Sequence, residues 1–259
     1  MGLSGKVVIV TGGGSGIGAA ISLACAAEGA VPVIVNPDGP AVRETVAKLE
    51  ASGSRHGLIP MWLKTPEDCQ KAVAETLQQF GHIDALVNNI GVNDGVGLEH
   101  GTPEAFMASI HTNLWHFYAM AHYALPSLIM QRGTIVNIAS KVALTGQGGT
   151  SGYAAAKGGV LGLTREWALE LLKYGIRVNA VLPAEVQTPA YDAWLANFPN
   201  PAEKLGAIVK NIPLGERMTT PAEIAAMVVF LMSAQSGHTT GQWLHVDGGY
   251  VHLDRALRG

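Results

Sequence analysis

The feature that most constrains this chain is a glycine-rich turn, Thr11-Gly12-Gly13-Gly14-Ser15-Gly16-Ile17-Gly18, set between two segments of different character. Before it runs Val7-Val8-Ile9-Val10, a continuous apolar stretch of the kind found in a strand covered on both faces. After it, Ala19 to Glu28 reads as a helix and Val31 to Val35 as a second buried strand, which together make a βαβ unit. Glycine removes Cβ where a tight turn must approach a bulky ligand, and the N–H groups opening the following helix can cradle a pyrophosphate. Read from Gly14, the turn also fits the GxGxxA form of a dinucleotide fingerprint. Gly12, Gly14, Ser15, Gly16, Ile17 and Gly18 are therefore candidate cofactor contacts. No Gly-Lys-Ser or Gly-Lys-Thr follows, which disfavours a nucleotide triphosphate.

The alternation continues along the chain. Helices are expected over Ala41 to Ala51, Glu67 to Phe80, about Phe106 to Met130, Ser151 to Leu172 and Pro221 to Met232. Between them lie an apolar stretch at Gly57 to Leu63 and strands at Ala85 to Val87, Thr134 to Ile138, Arg177 to Leu182 and Trp243 to Val246. Residues 183 to 213 break the rhythm with five prolines together with Tyr191, Trp194 and Phe198, and read as a partly helical lid from about 184 to 213. No linker or internal repeat divides the 259 residues. The expectation is one domain: an α/β fold with a doubly wound parallel sheet and helices on both faces. Such a sheet binds ligands beyond the carboxyl ends of its strands.

Composition closes off other classes. Lys and Arg number 17 against 20 Asp and Glu, with no basic tract, so a nucleic-acid partner is not supported. With 48% hydrophobic and 14% charged residues the chain reads as a well-buried globule, and its apolar runs are too short for a membrane span. Cys25 and Cys69 lack metal-ligand neighbours, and the N-terminus passes straight into a strand, so a reducing, cytoplasmic location is expected. The nine histidines show no zinc spacing, and no metal is expected; His111, His116 and His122 are expected at an interface or helix edge.

Tyr153 and Lys157 stand four apart on an expected helix and share its face, while Ser140 ends the strand that feeds the preceding loop. A phenol, with a pKa near 10, needs a neighbouring cation to accept a proton from an alcohol at neutral pH. Lys157 supplies it. Tyr153 would take the hydroxyl proton as hydride leaves for a nicotinamide, and Ser140 would hold the developing oxyanion. Both Tyr153 and Lys157 count as cofactor contacts, with Lys157 reaching the nicotinamide ribose. At the end of the second strand, where an acidic side chain would bind the adenosine ribose of NAD, stand Asn36 and then Asp38. Asp38 would repel a 2′-phosphate and no cation precedes Arg43, so the cofactor is NAD or NADP, with NAD favoured.

Taken together, these residues resemble the short-chain dehydrogenase/reductase family. The turn from Thr11 to Gly18 is similar to its cofactor turn, Asn88-Asn89-Ile90-Gly91 to its sheet-stabilising motif, and Tyr153-x-x-x-Lys157 with Ser140 to its active site. The resemblance implies a Rossmann-type fold and a fourth catalytic residue, Asn113, holding a water in the proton relay to the lysine. It further implies cofactor contacts from Asn89, Gly91, Pro183, Val186 and Thr188, with Leu63 lining adenine. Ile90 stands where Ala is usual, and Ala184 replaces a frequent Gly.

Within the family, Gly91 to Gly95, Thr145 to Gly148, Pro183 to Val186 and the tail from Val246 to Arg255 resemble the bacterial L-fucose dehydrogenases. These oxidise the anomeric carbon of a free sugar to its lactone. A sugar pocket must pair several hydroxyls, and Asn93, Lys141, Gln147 and Glu185 are the polar candidates, with Tyr191 and Trp194 offering faces to the apolar side of the ring. For Glu185 a salt bridge with a lid lysine is the alternative role. The alternative function is a 3-oxoacyl thioester reductase using NADPH; a nucleotide-sensing scaffold without catalysis is a further one. The resemblance also implies a homotetramer.

Overall fold

Each strand of the sheet is built from a short apolar run and delivers its last residue to the same edge. A computed structural model describes residues 1–253; residues 254–259 of the tail lie outside the described set. Seven strands are formed: β1 (Val7–Thr11), β2 (Val31–Val35), β3 (Gly57–Ile59), β4 (Ala85–Asn88), β5 (Thr134–Ile138), β6 (Arg177–Pro183) and β7 (Trp243–Val246). They lie in the order β3-β2-β1-β4-β5-β6-β7, and every pairing is parallel. The order reverses between β1 and β4, and the crevice beyond their carboxyl ends is where a doubly wound sheet receives a ligand.

Alternation along β1 divides the core. Val7 and Ile9 join one apolar cluster and Val8 and Val10 the other, so the sheet is covered on both faces. The first face is covered by α3 (Pro66–Phe80), α5 (His116–Gln131) and α6 (Ser151–Glu170), which contribute Ala72, Phe117 and Val160; the second by α1 (Gly16–Ala27) and α9 (Pro221–Met232), which contribute Ile21 and Ile224. The remaining helices are α2 (Pro40–Ala51), α4 (Pro103–Ile110), α7 (Pro189–Leu195) and α8 (Pro201–Val209). A Thr-Pro pair opens α3, α4, α7 and α9, and in each the Thr side chain accepts from the N–H of the third helical residue. Threonine satisfies an orphan donor while proline supplies a helical φ at a position that needs no N–H, which is why these starts are sharp.

The helix expected from Phe106 to Met130 does not run unbroken. It divides into α4, a π-helical turn over His111–Trp115, and α5. Asn113, buried in that turn, donates from Nδ2 to the Ser109 carbonyl, the acceptor that its own N–H would use in an α-helix. The widened turn follows from this competition, and such insertions gather at functional sites. The stretch after β6, expected to be partly helical, carries two short helices, α7 and α8.

Candidate active site

The glycine turn leaves β1 with Gly12 and Gly16 at positive φ, 65° and 51°. Gly14 lies against α2: an added Cβ would strike the side chain of Val42. Gly18 packs so tightly on Gly12 that a Cβ would overlap the Gly12 carbonyl and come within 2.7 Å of Asn89 Nδ2. Asn89 in turn ties the end of β4 to the turn, its Nδ2 donating to the Thr11 carbonyl at 3.0 Å. Ser15 is exposed and makes no side-chain cap on α1, so the first N–H groups of that helix are left for an external acceptor. A turn stripped of Cβ atoms, ending in an uncapped helix start, fits the pyrophosphate of a dinucleotide. Ile17 faces the second core cluster, and Leu63 is buried beyond the end of β3. Gly91, beyond β4, lies close enough to Lys157 that a Cβ would sit 2.9 Å from Nζ. Across the crevice Pro183 ends β6 against Val246, Val186 bridges to Thr219, and Thr188 lies beside Gly16 while its hydroxyl caps α7.

Asn36 holds the turn from the side, its Oδ1 accepting from the Gly14 N–H at 3.4 Å. Asp38 corrects the reading of charge here. Arg43, five residues on, folds back onto it with Nε at 3.1 Å and Nη2 at 2.6 Å from the two carboxylate oxygens. The exposed pair holds the Asp38 carboxyl below its ordinary range, and a cation stands where the sequence placed only an anion. The preference for NAD over NADP therefore does not follow from charge at this position.

The structure brings Ser140, Tyr153, Lys157 and Asn113 together. Ser140, two residues beyond β5, opens a short 3-10 turn, and a hydrogen bond between its side chain and that of Tyr153 acts to lower the phenol pKa. Lys157 is fully enclosed, 2% exposed, with Nζ 5.7 Å from the centre of the Tyr153 ring and donating to the Ile138 carbonyl at 2.8 Å. Asn113 accepts from the Val92 N–H at 2.7 Å, fixing the chain that leaves β4. Burial dominates the electrostatics. It pushes the Tyr153 phenol up to about 12, with the Ser140 hydrogen bond opposing and Asp94 adding to the rise, and it pushes Lys157 down to about 7. Burial therefore opposes the phenolate–ammonium pair that the sequence reading expects at this site.

Of the pocket candidates, Lys141, Glu185 and Tyr191 converge. Lys141 Nζ forms an ion pair with Glu185 Oε1, and Tyr191 donates to Glu185 Oε2 at 2.7 Å. The partner of Glu185 is thus the residue after Ser140, not a lid lysine. Trp194 packs edge-on against Tyr191 and Phe198, at centroid distances of 5.2 and 4.8 Å. Asn93 and Gln147 are not part of this cluster: Asn93 is exposed and accepts from the Gly95 N–H in its own loop, and Gln147 is exposed.

Comparison with known proteins agrees with this arrangement. A family model described as enoyl-(acyl carrier protein) reductase matches residues 12–251. The chain belongs to the short-chain dehydrogenase/reductase family. It is 39% identical to the 3-oxoacyl-(acyl-carrier-protein) reductase FabG of Thermotoga maritima, over 97% of this chain and 100% of that protein. It is likewise 39% identical to the L-fucose dehydrogenase of Mus musculus, over 95% of this chain and 88% of that one. Among solved structures, Cj0485 dehydrogenase superposes with a TM-score of 0.95 at 46% identity, covering 99% of this chain and 98% of its own. As a family member the chain is an NAD(P)-dependent oxidoreductase acting on small organic substrates. No helix among the described residues is long and apolar enough to cross a membrane.

Residues that sequence reasoning did not assign also shape the family site here. Asp94 accepts from Ser109 Oγ at 3.0 Å and raises the Tyr153 pKa through space. His116, expected at an interface or helix edge, is 1% exposed, and burial with the nearby Lys157 charge lowers its pKa to about 4. Tyr250 places its ring 4.0 Å from Lys141 Nζ within the same chain. Beneath them, Asn88 Nδ2 donates to Asn137 Oδ1 at 3.1 Å and Asn137 Nδ2 to Thr164 Oγ1 at 3.0 Å, a buried network tying β4, β5 and α6. Asn88, Asp94 and Tyr250 lie in stretches that carry a resemblance in the sequence; His116, Asn137 and Thr164 take their roles from contacts between distant segments.

Proposed function

We propose that this oxidoreductase removes hydride from the anomeric carbon of a free aldose, L-fucose or a similar sugar, and gives the sugar lactone. The observation that carries the reading is the Lys141–Glu185 ion pair, whose side chains are 8% and 15% exposed one residue beyond Ser140. A carboxylate and an ammonium at this depth suit a ligand rich in hydroxyls, which can take the place of a partner such as Tyr191 without leaving a buried polar group unpaired. The likeness to the Mus musculus L-fucose dehydrogenase supports the same choice.

In this reading Tyr153 takes the proton of the anomeric hydroxyl, and the same C–O bond becomes the lactone carbonyl as the C–H electron pair departs. An oxidised nicotinamide held at this site would supply the hydride acceptor and a positive charge that favours the phenolate form of Tyr153. Ser140 donates to the substrate oxygen, and Lys157, held by the Ile138 carbonyl with Nζ 5.7 Å from the centre of the Tyr153 ring, shares the proton that the phenol takes up. Asn113 fixes the loop that starts at Val92 and holds the relay water. Gly12, Gly14, Ser15, Gly16, Ile17 and Gly18 would hold the pyrophosphate of the cofactor, Asn36, Asp38 and Leu63 its adenosine, and Asn89, Gly91, Pro183, Val186 and Thr188 its nicotinamide half. Glu185 and Lys141 meet sugar hydroxyls, with Tyr191 and Trp194 above and Asn93 and Gln147 on the outer loops.

A second reading, reduction of a 3-oxoacyl thioester with NADPH, is favoured by the equal identity to the Thermotoga reductase and by Arg43 at the ribose position. Assaying L-fucose with NAD and NADP against a 3-oxoacyl thioester with NADH and NADPH separates the two. Reduction of NAD or NADP by L-fucose is the expected result, and turnover of the thioester alone would replace the proposal with the second reading.

A further inference from the structure

Glu185 stands where β6 hands the chain to α7, and both of its carboxylate oxygens are engaged. Oε1 pairs with Lys141, and Oε2 accepts the Tyr191 hydroxyl at 2.7 Å. Lys141 is buried between this carboxylate and the ring of Tyr250, in a tail segment that Asp247 secures by accepting from Gly249 N–H and Val251 N–H. One side of the cluster is thus fixed by an ion pair, by a cation over an aromatic face and by backbone bonds. The other side is a single phenol on a seven-residue helix whose Trp194 is 43% exposed. The weak member is Tyr191.

We propose that Tyr191 is a hydroxyl-exchange gate: its O–H occupies the Glu185 oxygen that a substrate hydroxyl takes, and α7 yields when a ligand offers a hydroxyl in return. The inference rests on the reading of a polyhydroxylated substrate and adds how the site selects it. Exchanging one O–H donor for another conserves the charge-assisted hydrogen bond to the carboxylate. A ligand without a hydroxyl leaves that oxygen bare in a nearly buried position, a loss of about ten- to a hundred-fold in affinity. Burial and the carboxylate beside it raise the Tyr191 pKa, so the gate stays a donor and does not open by ionising. Trp194, edge-on to Tyr191, and Phe198, edge-on to Trp194, move with it and carry the opening along the segment.

The gate makes a prediction of unusual sign. Removing the hydroxyl by Tyr191→Phe frees Glu185 for the sugar, so KM for L-fucose falls by about fivefold, a larger change than that in kcat. Hydrogen exchange followed by mass spectrometry shows faster exchange of the α7 amides in this variant, with no sugar present. Glu185→Gln, which keeps the shape but weakens the acceptor, raises KM and also speeds α7 exchange. Unchanged α7 exchange in Tyr191→Phe overturns the gate whatever the kinetics, and so does a raised KM. If the exchange speeds up as expected while the parent enzyme turns over no L-fucose with either cofactor, the latch stands and the sugar reading alone is lost.

Discussion

Two buried groups of opposite tendency set the chemistry at the scale of single residues. Tyr153 is pushed up to about 12 and Lys157 down to about 7, so the first proton to leave the pair as pH rises leaves near 7. Oxidation needs the pair with one proton fewer, because Tyr153 must receive the substrate's proton. The rate of alcohol oxidation is therefore expected to rise through about pH 7, and the reverse reduction to fall over the same interval, in pre-steady-state hydride transfer measured across pH. A flat profile in both directions would contradict this. Gly18 is the second residue-scale test. A Cβ there overlaps the Gly12 carbonyl, so Gly18→Ala should cost about 1–3 kcal/mol of stability and weaken NAD(P) binding more than tenfold, read by thermal melting and cofactor titration. That Ser140, Tyr153 and Lys157 meet was legible from helical spacing and a strand end, while the roles expected of them also drew on the family resemblance. Arg43 on Asp38 and Lys141 on Glu185 were not. The first needs a side chain to fold back over a turn, and the second joins residues 44 apart that meet only once β5 and β6 lie side by side.

At the scale of elements, strands were read well and one helix was not. A run such as Val31–Val35 is apolar throughout and has no alternative use, so its bounds are recovered unchanged in β2. The π-helical turn at His111–Trp115 leaves no mark in apolar periodicity, since it arises from one Asn113 amide competing for the Ser109 carbonyl. That turn is followed at once by buried His116, which begins α5 with Nε2 3.0 Å from the Thr112 carbonyl. Its pKa falls from 6.5 to about 4 on folding, so between those values the unfolded chain binds a proton that the folded chain does not. The associated stability is present above pH 6.5 and is lost as pH falls towards 4, by about 3 kcal/mol in all. Urea denaturation at a series of pH values should show this acid-side loss in the parent and a flatter curve in His116→Phe. An equal slope in both would place the acid sensitivity elsewhere.

For the whole molecule, alternation of strand and helix made the doubly wound sheet and its ligand edge readable, and the crossovers leave little freedom in strand order. Assembly is a different matter, because it depends on which surfaces stay open after folding. Tyr118, Met130 and Leu169 on α5 and α6 are 57%, 80% and 70% exposed. Exposed apolar side chains on two helices that meet at Tyr118 and Trp167 suit one subunit interface, and with the second interface that the family resemblance implies we propose a homotetramer; light scattering after gel filtration should give four chains, and one or two would refute it. The central claim concerns proton and hydride leaving one carbon–oxygen unit together, at Tyr153. Its most direct test is single-turnover reduction of NAD or NADP by L-fucose in the parent and in Tyr153→Phe, with cofactor binding measured in both. The variant is expected to keep cofactor binding within about tenfold, since it loses one of many cofactor contacts, and to lose hydride transfer by about a thousandfold; transfer at the parental rate without that hydroxyl would contradict this role of Tyr153.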